Sequence, residues 1–410
     1  MDRKQIITFL LLVFILFVFN RVFNKYFVNE TVSVNSQTLV NKEHVSPQNL
    51  FNKVWKTVNK DFYDSTMNHQ DWSYWKQRYA GKIKTEDDAK VAIDTILESL
   101  NDPYSRYLPQ KAYAEQNVSI DSKISGIGIN IVSDSGNVKV FSVMEGTPAH
   151  IAQLKPDDII IEVDGVDVRG KSISDVAALV RGPENSIVEV TVLRGKTKIT
   201  KKIKRKEIKI KTIKSSMFDN IGYIQILSFI GSSAPVEFIQ ALENTAQADG
   251  LILDLRGNTG GLLTNAVFIA NIFIKKGTIV SIVGRNGYKN NIKAQNSFIN
   301  INKPIVVLID GASASASEIL SGALKDYKVA QLVGTKTYGK GMVQRIIPLP
   351  NETGLNLTIA KYLTPNGSDI NKLGIEPDVK IDYPEDFNPV NNDIQLETAK
   401  ALINKLIANK

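Results

Sequence analysis

The chain has 410 residues, of which 43% are hydrophobic and 22% charged. That is the ordinary balance of a globular protein with a real core and room for two or three domains, and it excludes collagen-like, wholly disordered and polytopic membrane classes. There is no cysteine, and His44, His69 and His150 are the three histidines. Disulfide frameworks, thiolate metal sites, iron–sulfur clusters and cysteine nucleophiles are therefore excluded, and neither a metal nor another cofactor is expected. The net charge of +8 is local, since eleven Lys and Arg lie between Arg194 and Lys214 against the single acid Glu207. Lysines separate Ile208, Ile210 and Ile213 there, the pattern of a strand with one solvated face rather than of a nucleic-acid surface.

Ile6 to Phe19 is a 14-residue run broken only by Thr8, with Arg3 and Lys4 before it and Arg21 after it. A full membrane span takes ~20 apolar residues and a signal-peptide core roughly 7–15, so length alone favours a cleaved signal. Cleavage, however, favours small residues, and neither alanine nor glycine occurs before Ala80. Snorkelling of Lys4 and Arg21 extends the reach of the run. The expectation is an uncleaved anchor over residues 1–23 that holds the rest of the chain outside the cytoplasm, with secretion as the alternative if it is cleaved.

Residues 24–44 are polar and predict a tether. Ser46-Pro47 is a helix start, and Leu50, Phe51, Val54, Trp55, Val58 and Phe62 follow at helical spacing. Thr85 with Asp88 resembles a capping box ahead of Ala89, Ala92, Ile93, Ile96, Leu97 and Leu100. Residues 45–104 are thus expected to form a helical unit. From 119 to 206 short strands alternate with glycine turns. Gly126-Ile127-Gly128-Ile129 is followed by a strand near Val138–Val143, a short helix opened by Gly146-Thr147-Pro148-Ala149, the strand Ile159–Val163, and a helix over Ile173–Arg181. This order resembles a PDZ domain, although Gln153 and Asp157 stand where that family has glycine. The resemblance nominates the Gly126–Gly128 loop and Ile129 for a substrate carboxyl terminus added as a strand, with Arg181 as a coupling residue.

From residue 207 to 382 the pattern is α/β. Strands are expected at Ile221–Ile226, Leu251–Leu255, Ile305–Ile309 and Val329–Val333, and helices at Pro235–Ala246, Leu262–Ile274 and Ala316–Leu324, a largely parallel sheet. Residues 383–410 are expected to end in a helical segment. Three loops follow the buried strands: Asp254-Leu255-Arg256-Gly257-Asn258-Thr259-Gly260-Gly261, Asp310 through Glu318, and Gly334 through Gly341. In a parallel sheet the carboxyl ends share one edge, where ligand sites gather. Their contents are a glycine nest, serines at a helix amino terminus, and Lys340 between glycines. These are the parts of acyl transfer: oxyanion donors, a hydroxyl nucleophile and a base. No histidine lies in this region, so a lysine must act as base, and its ordinary pKa of ~10.4 would have to be lowered by burial.

The Ser-Ala-Ser-Ala-Ser run with Glu318, Gly339-Lys340-Gly341-x-x-Gln344, the Asp-Leu-Arg-x-Asn-x-Gly-Gly loop, Tyr362–Gly367 and Gly374–Asp378 resemble the carboxyl-terminal processing peptidases. These are PDZ-containing peptidases of the S41 type that use a Ser–Lys dyad. The resemblance runs from about residue 45 almost to the end. It implies an α/β multidomain protein with a crotonase-like peptidase core, Ser315 as nucleophile, Lys340 as base and Gln344 as the group that orients it. It further implies an oxyanion hole from the amides of Ala316 and a double-glycine residue, of which Gly261 is chosen over Gly260. Thr259 replaces the family's usual proline. Ser313, Ser317 and Glu318 are read as capping and supporting groups. The implied partners are protein substrates with accessible carboxyl-terminal tails and the membrane at the amino end. Nucleic acid is not expected, and a homo-oligomer is left open. Two rivals are a phosphate loop at Gly334–Gly341, which lacks the hydroxyl residue after the lysine, and an inactive tail-binding scaffold.

Overall fold

The computed structural model describes residues 43–409 apart from 121–122, 135, 210, 296–298, 300 and 383–392. The expected anchor at 1–23 and nearly all of the tether at 24–44 lie outside the described residues. Among the described residues no helix is long and apolar enough to cross a membrane. The chain forms two compact units. One comprises the residues up to Tyr113 with Gly284–Tyr288 and Val343–Ala360, and the other Ala114–Val283, Lys289–Met342 and the remainder from Lys361.

In the first unit α1 (Pro47–Asp61) starts as expected, with Pro47 in the first turn and Ser46 Oγ accepting the Asn49 N–H at 3.4 Å. A second helix, α2 (Trp72–Tyr79), is capped by Asp71. The third, α3 (Glu86–Glu98), has both halves of the Thr85–Asp88 capping box. Leu50, Phe51, Val54, Val58, Ile93 and Ile96 form the core of these helices together with Leu349, Leu355 and Leu357. Those three leucines come from the segment 343–360, which chain order alone would assign to the peptidase core.

In the second unit, β1 (Lys123–Gly126) leads into a sheet of β2 (Ile129–Asp134), β3 (Asn137–Val143), β4 (Ile159–Val163), β5 (Ile187–Arg194) and β6 (Thr197–Lys204), in that spatial order. The chain leaves this sheet through β7 (Lys206–Lys209), which pairs antiparallel with β1. The helix α4 (Ile173–Val180) covers a core of Val138, Val140, Ile160, Val163, Val188, Val190 and Val192. The basic run behaves as its alternation predicts along β6, where Ile203 is buried between exposed Lys202 and Lys204. Arg205 does not: it is 6% exposed and donates to the carbonyls of Leu179 and Val180 at 2.9 Å and of Ile187 at 3.1 Å. It thereby closes the carboxyl end of α4.

Gln153 and Asp157 take the place of glycines in conformation as well as in sequence, with φ of 63° and 69°. An L-residue pays roughly 1–2 kcal/mol for that region, part of which glycine's larger unfolded-state entropy offsets. Gln153→Gly is therefore expected to raise stability by about 0.5–1 kcal/mol. Its backbone carbonyl, which accepts from Arg194 at 2.9 Å, is retained. A thermal melt reads the change, and a lower midpoint would contradict the strain argument.

The rest of this unit is built on a six-stranded sheet: β8 (Ile213–Phe218), β9 (Ile221–Ile226), β10 (Gly250–Asp254), β11 (Ile305–Ile309), β12 (Gln331–Gly334) and β13 (Val379–Lys380). β8 is antiparallel to β9, and every later pair is parallel. All five residues of β10 and of β11 are buried, as expected of strands covered on both faces. The helices are α5 (Ala234–Asn244), α6 (Leu263–Phe273), α7 (Ala316–Asp326) and α8 (Ile394–Ala408). Ala399 and Ile403 of α8 are buried against Ile221, Ile252, Val306 and Leu308. The fit is close: a Cβ on Gly250 would come within 2.6 Å of Ile403.

Candidate active site

Parallel pairing of β10, β11 and β12 puts Asp254 opposite Leu308 and Ile309 opposite Gly334. The three chemistry-bearing loops therefore leave the sheet side by side at its carboxyl edge. Hydrogen bonds then lock the first two together, those of the two serines buried and those of Asp310 exposed. Asp310 accepts from the Gly257 N–H at 3.0 Å and from the Ala312 N–H at 3.0 Å. Ser313 Oγ donates to Leu255 O, and Ser317 Oγ to Asn258 O, each at 2.8 Å. Both serine hydroxyls thus join the second loop to the first.

Asn258 is fully buried and fixes the glycine loop from three directions. Its Nδ2 donates to Ile226 O at 2.7 Å, its Oδ1 accepts the Gly260 N–H at 2.9 Å, and its carbonyl accepts the Ala314 N–H at 3.0 Å. The order that a proline at 259 would impose comes instead from this side chain. With the Gly260 N–H committed to Asn258, the next amide belongs to Gly261. That residue makes a parallel bridge with Phe229 that uses Gly260 O and the Leu262 N–H. Gly261 needs its φ of 143°, since a Cβ there would lie 2.4 Å from Phe229 C. Gly260 lies against the nucleophile loop: a Cβ on it would be 2.9 Å from Ser315 Cβ and 3.1 Å from Ala316 N.

Ser315 caps α7 with φ 56° and ψ −112°, a sparsely populated conformation of the kind that concentrates at functional sites. Ala316 is the first residue of α7, where backbone N–H groups have no partner within the helix. Lys340 lies part-buried between Gly339 and Gly341. A Cβ on Gly341 would be 2.7 Å from Asn371 N, so the loop is packed too tightly for any larger residue.

Glu318 is fully buried and joins the Asp310–Glu318 loop to the Gly334–Gly341 loop. Its Oε2 accepts the Ser315 N–H at 2.8 Å and the Lys340 N–H at 2.9 Å. Its Oε1 accepts the Gly339 N–H at 2.7 Å and the Thr337 hydroxyl at 2.6 Å. The capping role read from sequence is therefore half of what this carboxylate does. Gln344, on the strand Met342–Pro348, belongs to the first unit, where its amide donates to Thr358 Oγ1 at 3.5 Å.

Arg256, at the root of the glycine loop, donates to Asp254 at 2.6 Å and to Asp393 at 2.8 Å. Asp393 also caps α8, accepting the Leu396 N–H at 3.0 Å. Tyr223 donates to the same Asp254 carboxylate at 2.7 Å.

Of the nominated tail-binding residues, Gly126 ends β1 and Ile129 opens β2. Between them Ile127 is buried and accepts the Ala149 N–H at 2.8 Å, while Gly128 has φ 85° and accepts the Met144 N–H at 3.0 Å. Arg181 is exposed, and its N–H closes α4 on Ala177 O at 2.9 Å. Arg205, not singled out from sequence, makes the contacts at that helix end. The segment after Lys340 is a strand rather than a helix, which removes the phosphate-loop alternative.

Residues 220–381 match peptidase family S41, residues 140–194 a PDZ domain and residues 44–88 the Tricorn protease C1 domain. A carboxyl-terminal-processing protease of Synechocystis sp. is 36% identical over 349 residues, covering 82% of this chain and 81% of that protein. The chain belongs to peptidase family S41. The carboxy-terminal processing protease CtpA of Bacillus subtilis is 37% identical over 341 residues, 82% of this chain and 69% of that one. A solved photosystem II D1 C-terminal processing protease is 30% identical with a TM-score of 0.59, over 88% of this chain and 97% of that one. This S41 peptidase is thus a serine peptidase of the carboxyl-terminal processing group, with a peptidase core and a PDZ domain.

Proposed function

We propose that this S41 peptidase cuts proteins near their carboxyl ends outside the cytoplasm with Ser315 as nucleophile and neutral Lys340 as base. The observation that carries the reading is the single carboxylate oxygen of Glu318 that accepts both the Ser315 and the Lys340 N–H, at 2.8 and 2.9 Å. Lys340 takes the Ser315 proton as Oγ attacks the scissile carbonyl. The developing oxyanion is held by the N–H groups of Ala316 and Gly261, the latter supported by the commitment of the Gly260 N–H elsewhere. The protonated lysine returns its proton to the leaving amine, and water releases the acyl group by the same steps. The role of Gln344 rests on the family resemblance alone, and placement outside the cytoplasm on the apolar run Ile6–Phe19.

The PDZ domain is assigned the capture of the substrate tail, its carboxylate meeting the Gly126–Gly128 loop and its strand lying along β2. An unstructured protein with a free carboxyl terminus is expected to be cut several-fold faster than the same protein with an amidated end. Product masses should place the cuts toward that end. Equal rates would remove the tail-sensing role, and no cutting of either would remove the activity.

A further inference from the structure

Ser315 and Lys340 are joined a second time, on the carbonyl side. The Tyr362 hydroxyl reaches Ser315 O at 3.1 Å and also donates to Lys340 O. We propose that Tyr362 is a positioning residue for catalysis, its hydroxyl holding the backbone of the base at a set separation from the backbone of the nucleophile. This rests on the Ser315–Lys340 reading.

Glu318 gathers the two N–H groups and Tyr362 the two carbonyls, so each catalytic residue is tied at both polar ends of its backbone. Bonds from Thr337 and Gly339 to Glu318 and from the Tyr338 N–H to Ser313 O at 3.1 Å already hold the two loops together; the Tyr362 hydroxyl adds a contact at the carbonyls of the two catalytic residues themselves. Ser315 O is itself fixed by the Glu318 and Ile319 N–H groups, at 2.9 and 3.0 Å, so the Tyr362 hydroxyl refers the Lys340 carbonyl to an anchored point on α7. Two carbonyl oxygens brought together repel, and a shared hydroxyl proton turns that repulsion into attraction. Tyr362 suits the task because its ring is 2% exposed and its own N–H donates to Gly341 O at 2.9 Å. The hydroxyl is thereby carried in register with the base loop. It bonds to main-chain atoms of the dyad, so its effect on the reaction runs through the separation of Ser315 Oγ and Lys340 Nζ. Proton transfer depends steeply on that separation, and a misplacement of ~1 Å can cost about a hundredfold.

Tyr362→Phe keeps the ring and removes the hydroxyl. On the full-length protein kcat is expected to fall about tenfold to a hundredfold, with KM changed by less than about twofold because substrate contacts are untouched. The rate at which a fluorophosphonate labels Ser315 should fall in parallel. Incorporating 3-fluorotyrosine at position 362 retains the hydroxyl and is expected to keep kcat within about threefold of wild type. A wild-type kcat in Tyr362→Phe, or equal losses in both variants, overturns the proposal. Ser315→Ala separates the two layers. If that variant still cuts, the dyad reading itself has failed. If it is inactive while Tyr362→Phe is fully active, the positioning role alone has failed.

Discussion

Ser315→Ala and Lys340→Ala are each expected to abolish cleavage, with losses on the order of 10⁴–10⁶ in kcat and little further loss in the double variant. In the proposed dyad the two groups act in one step, so removing either removes the step. Lys340→Arg is expected to be as inactive, because a guanidinium does not shed its proton. None of the three histidines lies in the peptidase core, so no other side chain of that type is at hand to take over. The sign of the pH dependence follows from the chemistry: the base must be uncharged, so kcat rises as pH rises through the titration of the lysine. A rate–pH profile on an unstructured substrate reads this limb. Cutting that survives both alanine variants, or a profile that falls with rising pH from neutrality, would refute the assignment.

Glu318→Ala carries the next largest expected effect. It would remove the fully buried carboxylate that accepts the Ser315, Gly339 and Lys340 N–H groups and the Thr337 hydroxyl. An unsatisfied buried donor costs about 1–3 kcal/mol, so a loss of about 3 kcal/mol or more in stability is expected. The loosened loops should lower kcat by roughly a hundredfold to a thousandfold among molecules that remain folded. Glu318→Gln isolates the chemistry from the packing. An amide presents an NH₂ to some of the same donors, so it should lose activity with a smaller change in melting temperature. Wild-type kcat in Glu318→Gln would show that the carboxylate does not hold the dyad.

Much of this was legible before any coordinates, because the informative signals are local. The apolar runs at Leu251–Leu255 and Ile305–Ile309 announce doubly covered strands, and parallel pairing alone brings their loops together. The Ser46 and Thr85 caps likewise stand on adjacent residues. What escaped is what depends on distant partners. Glu318 looks like a helix cap because three residues separate it from Ser315, but its bonds to Gly339 and Lys340 span 21 and 22 residues. Arg205 is hidden in a run of lysines whose charge pattern says solvent, and burial distinguishes it. The helix α2 has its Asp71 cap in plain view, yet Trp72 is its one buried residue, so it shows no apolar stripe. What favours Gly261 over Gly260 in the proposed oxyanion hole is Asn258, whose side-chain oxygen accepts the amide N–H two residues further on.

The pairing of Arg256 with Asp393 gives the last helix a dependence on acidity. Burial favours the neutral form of the Asp393 carboxyl, but the hydrogen bond from Arg256 and the backbone bonds at the start of α8 outweigh it and hold its pKa below the ordinary range. A carboxylate so shifted contributes its full stabilisation at neutral pH and loses it as pH falls through the lowered value. Strong acid would thus break the ion pair between the start of the carboxyl-terminal helix and the root of the glycine loop, while the burial of Ala399 and Ile403 keeps the helix on the sheet.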